Sequence, residues 1–124
     1  SIPRDLFTNT HIEILQQIIT ARAPLFKRAF LADSIEAVVT ETTVSFPWFP
    51  FTADPDEVNA YSVFVAKLCD MAKNQKRVVT AISETDNDKY TFRCFLLRLG
   101  LIGDEYKKAR KVLLRNLTGN SGFR

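Results

Sequence analysis

Residues 88–117 have the sequence DKYTFRCFLLRLGLIGDEYKKARKVLLRNL. The first part is apolar on nearly every side, which is typical of a helix at the centre of a core. We expect this helix to begin near Asp86 or Asn87 and to end before Gly100, because glycine suits the position after a helix C-terminus. The fold prediction therefore starts from this apolar helix and from the short turn and basic helix that follow it.

A second helix is predicted from Asp104 to about Leu117. Two acids, Asp104 and Glu105, lie in its first turn and its bases follow, which is the order that the helix dipole favours. At about 100° per residue, its apolar side chains cluster on one side of the helix and its basic side chains on the other. The basic side chains are Lys107, Lys108, Arg110, Lys111 and Arg115.

A helix, a short turn and a basic helix form the outline of a helix-turn-helix DNA reader. Lysines and arginines that meet phosphates would make such binding salt-dependent. The same pattern also fits a solvated surface or an acidic protein partner, and few side chains on this face could read base edges. Lys73, Lys76 and Arg77 form a second basic cluster that could extend the surface or simply follow a helix end.

Upstream, Thr10 and Glu13 fit a capping box, which predicts a helix over about 10–22. Because proline disrupts a helix interior, we expect a kink or restart at Pro24, continuing to about Leu31. A fourth helix is predicted to run to about Lys73, with Asp54 as its cap, Pro55 in its first position and Glu57 completing a capping box. A long loop over 74–86 should follow it.

Two strands, Ile35–Thr40 and Thr43–Phe46, are predicted from their β-branched and aromatic residues and should form a hairpin. The run from Phe46 to Phe51 that follows them alternates proline with aromatic residues. It would either close the core or expose a docking patch made of Trp48, Phe49 and Phe51.

The chain has 124 residues, a net charge of +3 and the apolar content of one globular domain, which we place over residues 1–124. The charge is unevenly distributed: residues 1–66 carry 4 basic and 8 acidic residues, whereas residues 67–124 carry 13 and 6. A basic half and an acidic half indicate either a charged partner or pairing between the halves.

The composition argues against most classes of metal site and catalytic site. His11, Cys69 and Cys94 are too few and too far apart for a zinc site, and the cysteines fit small buried residues in a reducing compartment. No nucleophile–base set, phosphate loop or small-molecule site is evident, so we expect neither an enzyme nor a cofactor. No apolar run approaches the roughly 18 residues of a membrane span.

Three stretches resemble a known group of bacterial proteins: residues 44–49, residues 89–100 and the C-terminal residues 102–121. The group comprises small proteins labelled "virulence-related" that mobile elements of anaerobic gut bacteria carry, and the resemblance, to their C-terminal part, covers about residues 35–124. It implies a bacterial cytoplasmic setting and a domain before residue 1, consistent with the missing initiator methionine. It implies no reaction, ligand or catalytic residue.

The sequence thus predicts an α+β domain, mostly a bundle of about four helices with one β-hairpin. We expect a non-enzymatic binding module that uses the basic C-terminal helix on nucleic acid. The alternative is a protein-interaction or oligomerisation domain that uses the hairpin and the Pro-aromatic run.

Overall fold

The computed structural model describes residues 2–49, 52–74 and 88–117. Over those ranges the chain forms four α-helices and three short β-strands. The helices are α1 (Asn9–Phe30), α2 (Pro55–Asn74), α3 (Asp88–Leu99) and α4 (Lys107–Leu114), and the strands are β1 (Ile2–Pro3), β2 (Val38–Val39) and β3 (Thr43–Ser45). The α+β class, mostly helical with a β-hairpin, is confirmed.

The strands form an antiparallel sheet in the order β1-β3-β2. Val44 of β3 pairs with Val39 on one side and with Ile2 on the other, and its own side chain is fully buried. The predicted hairpin is therefore present with shorter strands, and β1 is an addition. A two-residue strand that contains proline has no alternating pattern to detect, and its partner lies about 40 residues further along the chain.

Helix α1 begins one residue earlier than predicted, its cap lies two residues earlier, and it runs through Pro24 without a break. Thr8 is its N-cap: the Thr8 hydroxyl accepts a hydrogen bond from the backbone N–H of His11 at 3.1 Å, and the Thr8 N–H donates to Nδ1 of His11 at 3.2 Å. The predicted cap at Thr10 and the predicted restart at Pro24 are wrong. Buried side chains continue on both sides of Pro24, including Ile19 and Leu25, so shared burial outweighs one missing hydrogen bond.

The core centres on Phe26, which is fully buried and is surrounded by other aromatic rings. Its ring centroid lies 5.6–6.2 Å from those of five neighbours, in tilted or edge-on geometries that aromatic pairs favour. The neighbours are Phe30, Trp48, Phe64, Phe92 and Phe95. These rings join α1, α2, α3 and the segment after β3 into one core.

The predicted cap of α2 is confirmed, because the Asp54 carboxylate accepts a hydrogen bond from the backbone N–H of Asp56 at 2.9 Å. Glu57 does not close the predicted box directly. The hydroxyl of Thr52 accepts from the Asp54 N–H at 3.1 Å and lies 3.4 Å from a Glu57 carboxylate oxygen. The loop predicted over 74–86 and the helix start predicted at Asp86 or Asn87 lie almost entirely outside the described residues.

Helix α3 ends as predicted at Gly100, which has a φ of +104°. The N–H of Leu101 donates to the carbonyl of Leu96, and the N–H of Gly100 donates to that of Leu97, both at 3.1 Å. This is the Schellman pattern, and its left-handed position explains why glycine is needed there.

The predicted helix from Asp104 to Leu117 is present only in part. Residues Asp104–Tyr106 form a 3-10 turn, α4 covers the next eight residues, and the chain then turns to Leu117. The side-chain amide of Asn116 donates to the carbonyl oxygen of Ala29 in the last turn of α1 at 3.0 Å. The end of the predicted helix therefore serves as a tertiary contact.

Candidate nucleic-acid interface

Helix α4 is anchored by its apolar side, which packs chiefly against α2 and also against α3. Ala109, Leu113 and Leu114 are buried on α4, and Leu117 is buried just after it. The predicted two-sided helix is therefore present, and its basic side chains divide into those that hold the fold and those that do not.

Arg110 holds the turn before α4. One terminal nitrogen of its guanidinium donates to the carbonyl oxygen of Leu101 at 2.8 Å and to that of Gly103 at 2.9 Å. Both carbonyls belong to the connection between α3 and α4, so this side chain fixes the start of α4. Arg110, predicted as a binding residue, is already engaged within the chain and is half-buried.

Arg115 holds α4 on α2. Its guanidinium donates to a carboxylate oxygen of Glu57 at 3.0 Å and to the hydroxyl of Tyr61 at 3.3 Å. The hydrogen bond to Glu57 is the main reason that the pKa of Arg115 lies above its ordinary value. An acid of the first half of the chain therefore neutralises this predicted binding residue.

Lys107, Lys108 and Lys111 form a surface that we call the lysine face. All three side chains are exposed. Across residues 2–49, 52–74 and 88–117, none of the three ammonium groups has a hydrogen bond or an ion pair. At about 100° per residue, the three positions fall within an arc of about 100° on the helix. Three positive charges thus point from one anchored helix toward solvent.

The second predicted basic cluster is only partly described. Lys73 is half-buried in the last turn of α2, and its Nζ lies 4.8 Å from the centroid of the Phe7 ring, a cation–π contact. Lys76 and Arg77 lie outside the described residues. Lys73 therefore has a structural partner already.

The predicted docking patch needs a correction at Trp48. This side chain is 3% exposed, and its Nε1 donates to the carbonyl oxygen of Glu36 at 3.0 Å. Phe49 is half-buried, stacked on Tyr61 at 4.5 Å between ring centroids. The run closes the core because burying large rings stabilises the fold more than exposing them. Phe51 lies outside the described residues.

A shallow apolar groove of about 350 Å³ remains beside this run. It is lined by Ile2, Phe46, Phe49, Tyr61, Ser62, Val65 and Ala66. The groove lies between the sheet and α2, well apart in the chain from the lysine face.

Neither cysteine shows the features of a nucleophile. Cys69 is buried as predicted, and burial is the main cause that raises the pKa of its thiol to about 11. Cys94 is half-buried rather than buried, and its thiol takes part in a side-chain hydrogen bond with Tyr90. In the described part of the chain, no three His, Cys, Asp or Glu side chains cluster as a metal site would need.

One group of cations was missed by the sequence analysis. Arg22 of α1, Lys67 of α2 and Arg98 of α3 are brought into one region by the packing of three helices. They are 31 to 76 positions apart in the chain, so no local pattern signals them. The only local signal is the position of Arg98 one helical turn after Phe95, which places a basic and an aromatic side chain on the same side of α3.

Comparisons of the chain with protein-family models, with curated proteins and with solved structures found no match. We therefore assess the candidate site from its contacts, its exposure and its charge. Along the described ranges, no helix combines the length and the apolarity needed to cross a bilayer.

Proposed function

We propose that this chain is a non-enzymatic binding module of a mobile-element-encoded bacterial protein, and that its lysine face binds the phosphates of nucleic acid. The observation that carries the proposal is the exposure of Lys107, Lys108 and Lys111 without any acidic partner among the described residues. Three unpaired lysines on a helix fixed by an apolar side and two arginines form a stable cationic surface. The resemblance to mobile-element proteins supplies the biological setting.

The lysine face suits phosphates rather than base edges. An ammonium group is a compact point charge without the planar fork that recognises guanine, so it contacts phosphates without selecting sequence. Asp104 and Glu105 are exposed just before α4. Because these carboxylates would repel phosphates at the N-terminal end of the helix, we propose that α4 lies along the backbone with its side, rather than entering a groove end-on.

The test is a titration of a short fluorescent duplex at several salt concentrations, read by anisotropy. Each phosphate neutralised on B-DNA contributes about −0.9 to the slope of log K against log salt, so three lysines give about −2.7. The Lys107→Gln/Lys108→Gln/Lys111→Gln variant should lose most of this slope and bind far more weakly. Unchanged binding by that variant, or no binding by the wild type at low salt, would refute the proposal.

A matched pair of single variants controls for net charge. Lys111→Gln and Lys27→Gln each remove one charge from an exposed helical lysine, and only Lys111 belongs to the lysine face. Lys111→Gln should weaken duplex binding, whereas Lys27→Gln should leave it within experimental error. Equal effects would mean that the total charge, rather than the lysine face, attracts the duplex.

The alternative proposals are binding of an acidic protein through the lysine face, and self-association through the hairpin and the Pro-aromatic run. The second has less support, because Trp48 is buried and Phe49 packs on Tyr61. Light scattering tests it directly: a monomer at high protein concentration argues against self-association. The nucleic-acid proposal also assigns the chain to the bacterial cytoplasm, where two free cysteines remain reduced.

A further inference from the structure

Arg22 is a half-buried cation without an acidic partner. Its Cζ lies 4.5 Å from the centroid of the Phe95 ring, so the guanidinium stacks on an aromatic face. Within residues 2–49, 52–74 and 88–117 it makes no hydrogen bond and no ion pair. Burial first, and the like charge of Arg98 second, lower the pKa of Arg22. Several guanidinium N–H donors are therefore left without an acceptor among the described residues.

Arg98 lies in a groove between α2 and α3, one helical turn after Phe95, the ring on which Arg22 stacks. This groove of about 360 Å³ is lined by the side chains of Lys67, Asp70, Met71, Asn74, Arg98 and Leu99. The Nζ of Lys67 also lies 5.6 Å from the centroid of the Tyr106 ring, just before α4. No ion pair within the described ranges involves Lys67 or Arg98. We call the surface formed by this groove and Arg22 the arginine groove.

The charge balance of the arginine groove selects the class of ligand. The groove itself is lined by two cations, Lys67 and Arg98, and by one carboxylate, Asp70, and Arg22 lies beside it on the ring of Phe95, which leaves a surplus of two positive charges. A phosphomonoester carries about −1.5 to −2 charges near neutral pH and three acceptor oxygens. Guanidinium groups donate to phosphate in a two-pronged geometry, and the side-chain amide of Asn74 adds a neutral donor.

We propose that the arginine groove binds a phosphoryl group, held by Arg22, Lys67 and Arg98. The phosphoryl group belongs either to a free phosphate compound or to the backbone of a nucleic acid. The site uses different residues from the lysine face, because none of its three cations is on α4. The carboxylate of Asp70 repels the phosphoryl oxygens and therefore limits affinity. A ligand with more than one negative charge gains more from the three cations and is favoured.

The test is a titration of the ¹⁵N-labelled protein with inorganic phosphate, followed by NMR. The amides around Arg22, Lys67 and Arg98 should shift in a saturable manner. Arg98→Gln removes an exposed charge with little risk to the fold and should weaken phosphate binding about tenfold. Asp70→Asn should strengthen it severalfold, because it removes the repelling carboxylate.

Lys27→Gln is the matched control, since it removes an exposed charge from α1 outside the arginine groove. It should leave phosphate binding unchanged. The proposal is overturned if Lys27→Gln weakens binding as much as Arg98→Gln, if Asp70→Asn weakens it, or if the shifts lie elsewhere in the protein.

Competition identifies the source of the phosphoryl group. A duplex without terminal phosphates that displaces inorganic phosphate indicates the nucleic-acid backbone, and displacement by a nucleoside monophosphate alone indicates a free phosphate compound. The variant without the three lysines of α4 should still bind inorganic phosphate. If the wild type binds the duplex but not inorganic phosphate, the groove proposal fails while the lysine face stands.

Discussion

At the residue scale, the two arginines of α4 show that a charge counted in a sequence differs from a charge offered to a partner. Arg110 holds the carbonyls of Leu101 and Gly103, and Arg115 holds Glu57. The helical wheel places both with the lysines on the basic side, and nothing in the local sequence separates them. Their partners come from other elements of the fold, so only the three-dimensional structure divides the five basic residues into two that bond within the fold and three that have no hydrogen bond or ion pair among the described residues.

Cys69 provides a prediction about pH. Its thiol has a pKa of about 11 when folded, against an ordinary value of 9.0, because burial disfavours the thiolate. Above pH 9 the unfolded chain loses this proton and the folded chain keeps it, so the free energy of unfolding falls as pH rises from about 9 to 11. The expected loss between pH 8.5 and 10.5 is about 1–2 kcal/mol.

Urea unfolding at both pH values measures this loss, with Cys69→Ala as the comparison. The variant should lose less stability over the same pH interval. At pH 8.5 it should already be less stable than the wild type, because alanine fills less of the buried site than cysteine does. Tyr90 also has a raised pKa and contributes in the same direction in both proteins. Equal losses in the wild type and in Cys69→Ala would contradict the assignment to Cys69.

At the element scale, the α3–turn–α4 unit depends on two features: the glycine end of α3, which involves neighbouring residues only, and the hydrogen bonds of the Arg110 side chain, which reach back to the turn. The Schellman end of α3 at Gly100 depends on nearby residues, and for that reason the sequence predicted it correctly. The start of α4 depends on the reach of Arg110 back to the carbonyls of the turn. The two features together set the direction in which the lysine face points.

Arg110→Ala tests the second feature. Its loss leaves the carbonyls of Leu101 and Gly103 without their charged donor, so the free energy of unfolding should fall by about 1–2 kcal/mol. Lys111→Ala, one position along, should stay within about 0.5 kcal/mol of the wild type. Chemical denaturation of both variants gives the comparison, and equal stabilities would show that Arg110 does not fix the turn.

The elements that the sequence predicted well are those with local signals. The Asp54 cap, the hairpin strands and the end of α3 all rest on residues within a few positions of each other. The capping-box pattern favoured Thr10, which precedes Glu13 by three residues, whereas the observed cap Thr8 pairs with His11, a residue that this pattern does not include. Three features depend on contacts between residues that are distant in the chain: strand β1, the passage of α1 through Pro24, and the arginine groove. The periodicity of apolar residues does not reveal such contacts.

At the scale of the whole molecule, two ion pairs among the described residues connect the halves of the chain. Arg115 of the basic half pairs with Glu57 of the acidic half, but the other pair reverses the direction, since Arg28 binds Asp88 at 2.7 Å. Pairing between the acidic half and the basic half therefore involves only a few of their charged residues. An apolar core centred on Phe26 holds them together instead.

This division predicts that salt affects stability and binding differently. The side chains of the two arginines are 54% and 46% exposed, so their ion pairs contribute little to stability in water. Raising NaCl to about 1 M, where the Debye length is about 3 Å, should change the free energy of unfolding by less than about 1 kcal/mol. Duplex binding should disappear under the same conditions.

Thermal or urea unfolding in both buffers, alongside the anisotropy titration, separates the two effects. A large loss of stability in high salt would mean that charge pairing, rather than the apolar core, holds the fold. In that event the lost duplex binding would reflect unfolding and would say nothing about the lysine face.

The position of Pro3 on the outer strand of the sheet affects how the molecule behaves at high concentration. A prolyl nitrogen has no hydrogen to offer, so another molecule's strand cannot extend the ladder along β1. The opposite border, β2, is only two residues long and presents the exposed side chain of Val38. Any edge-to-edge aggregation would therefore grow from the Val38 border, and a charged side chain placed there would be the first measure for keeping the protein dispersed.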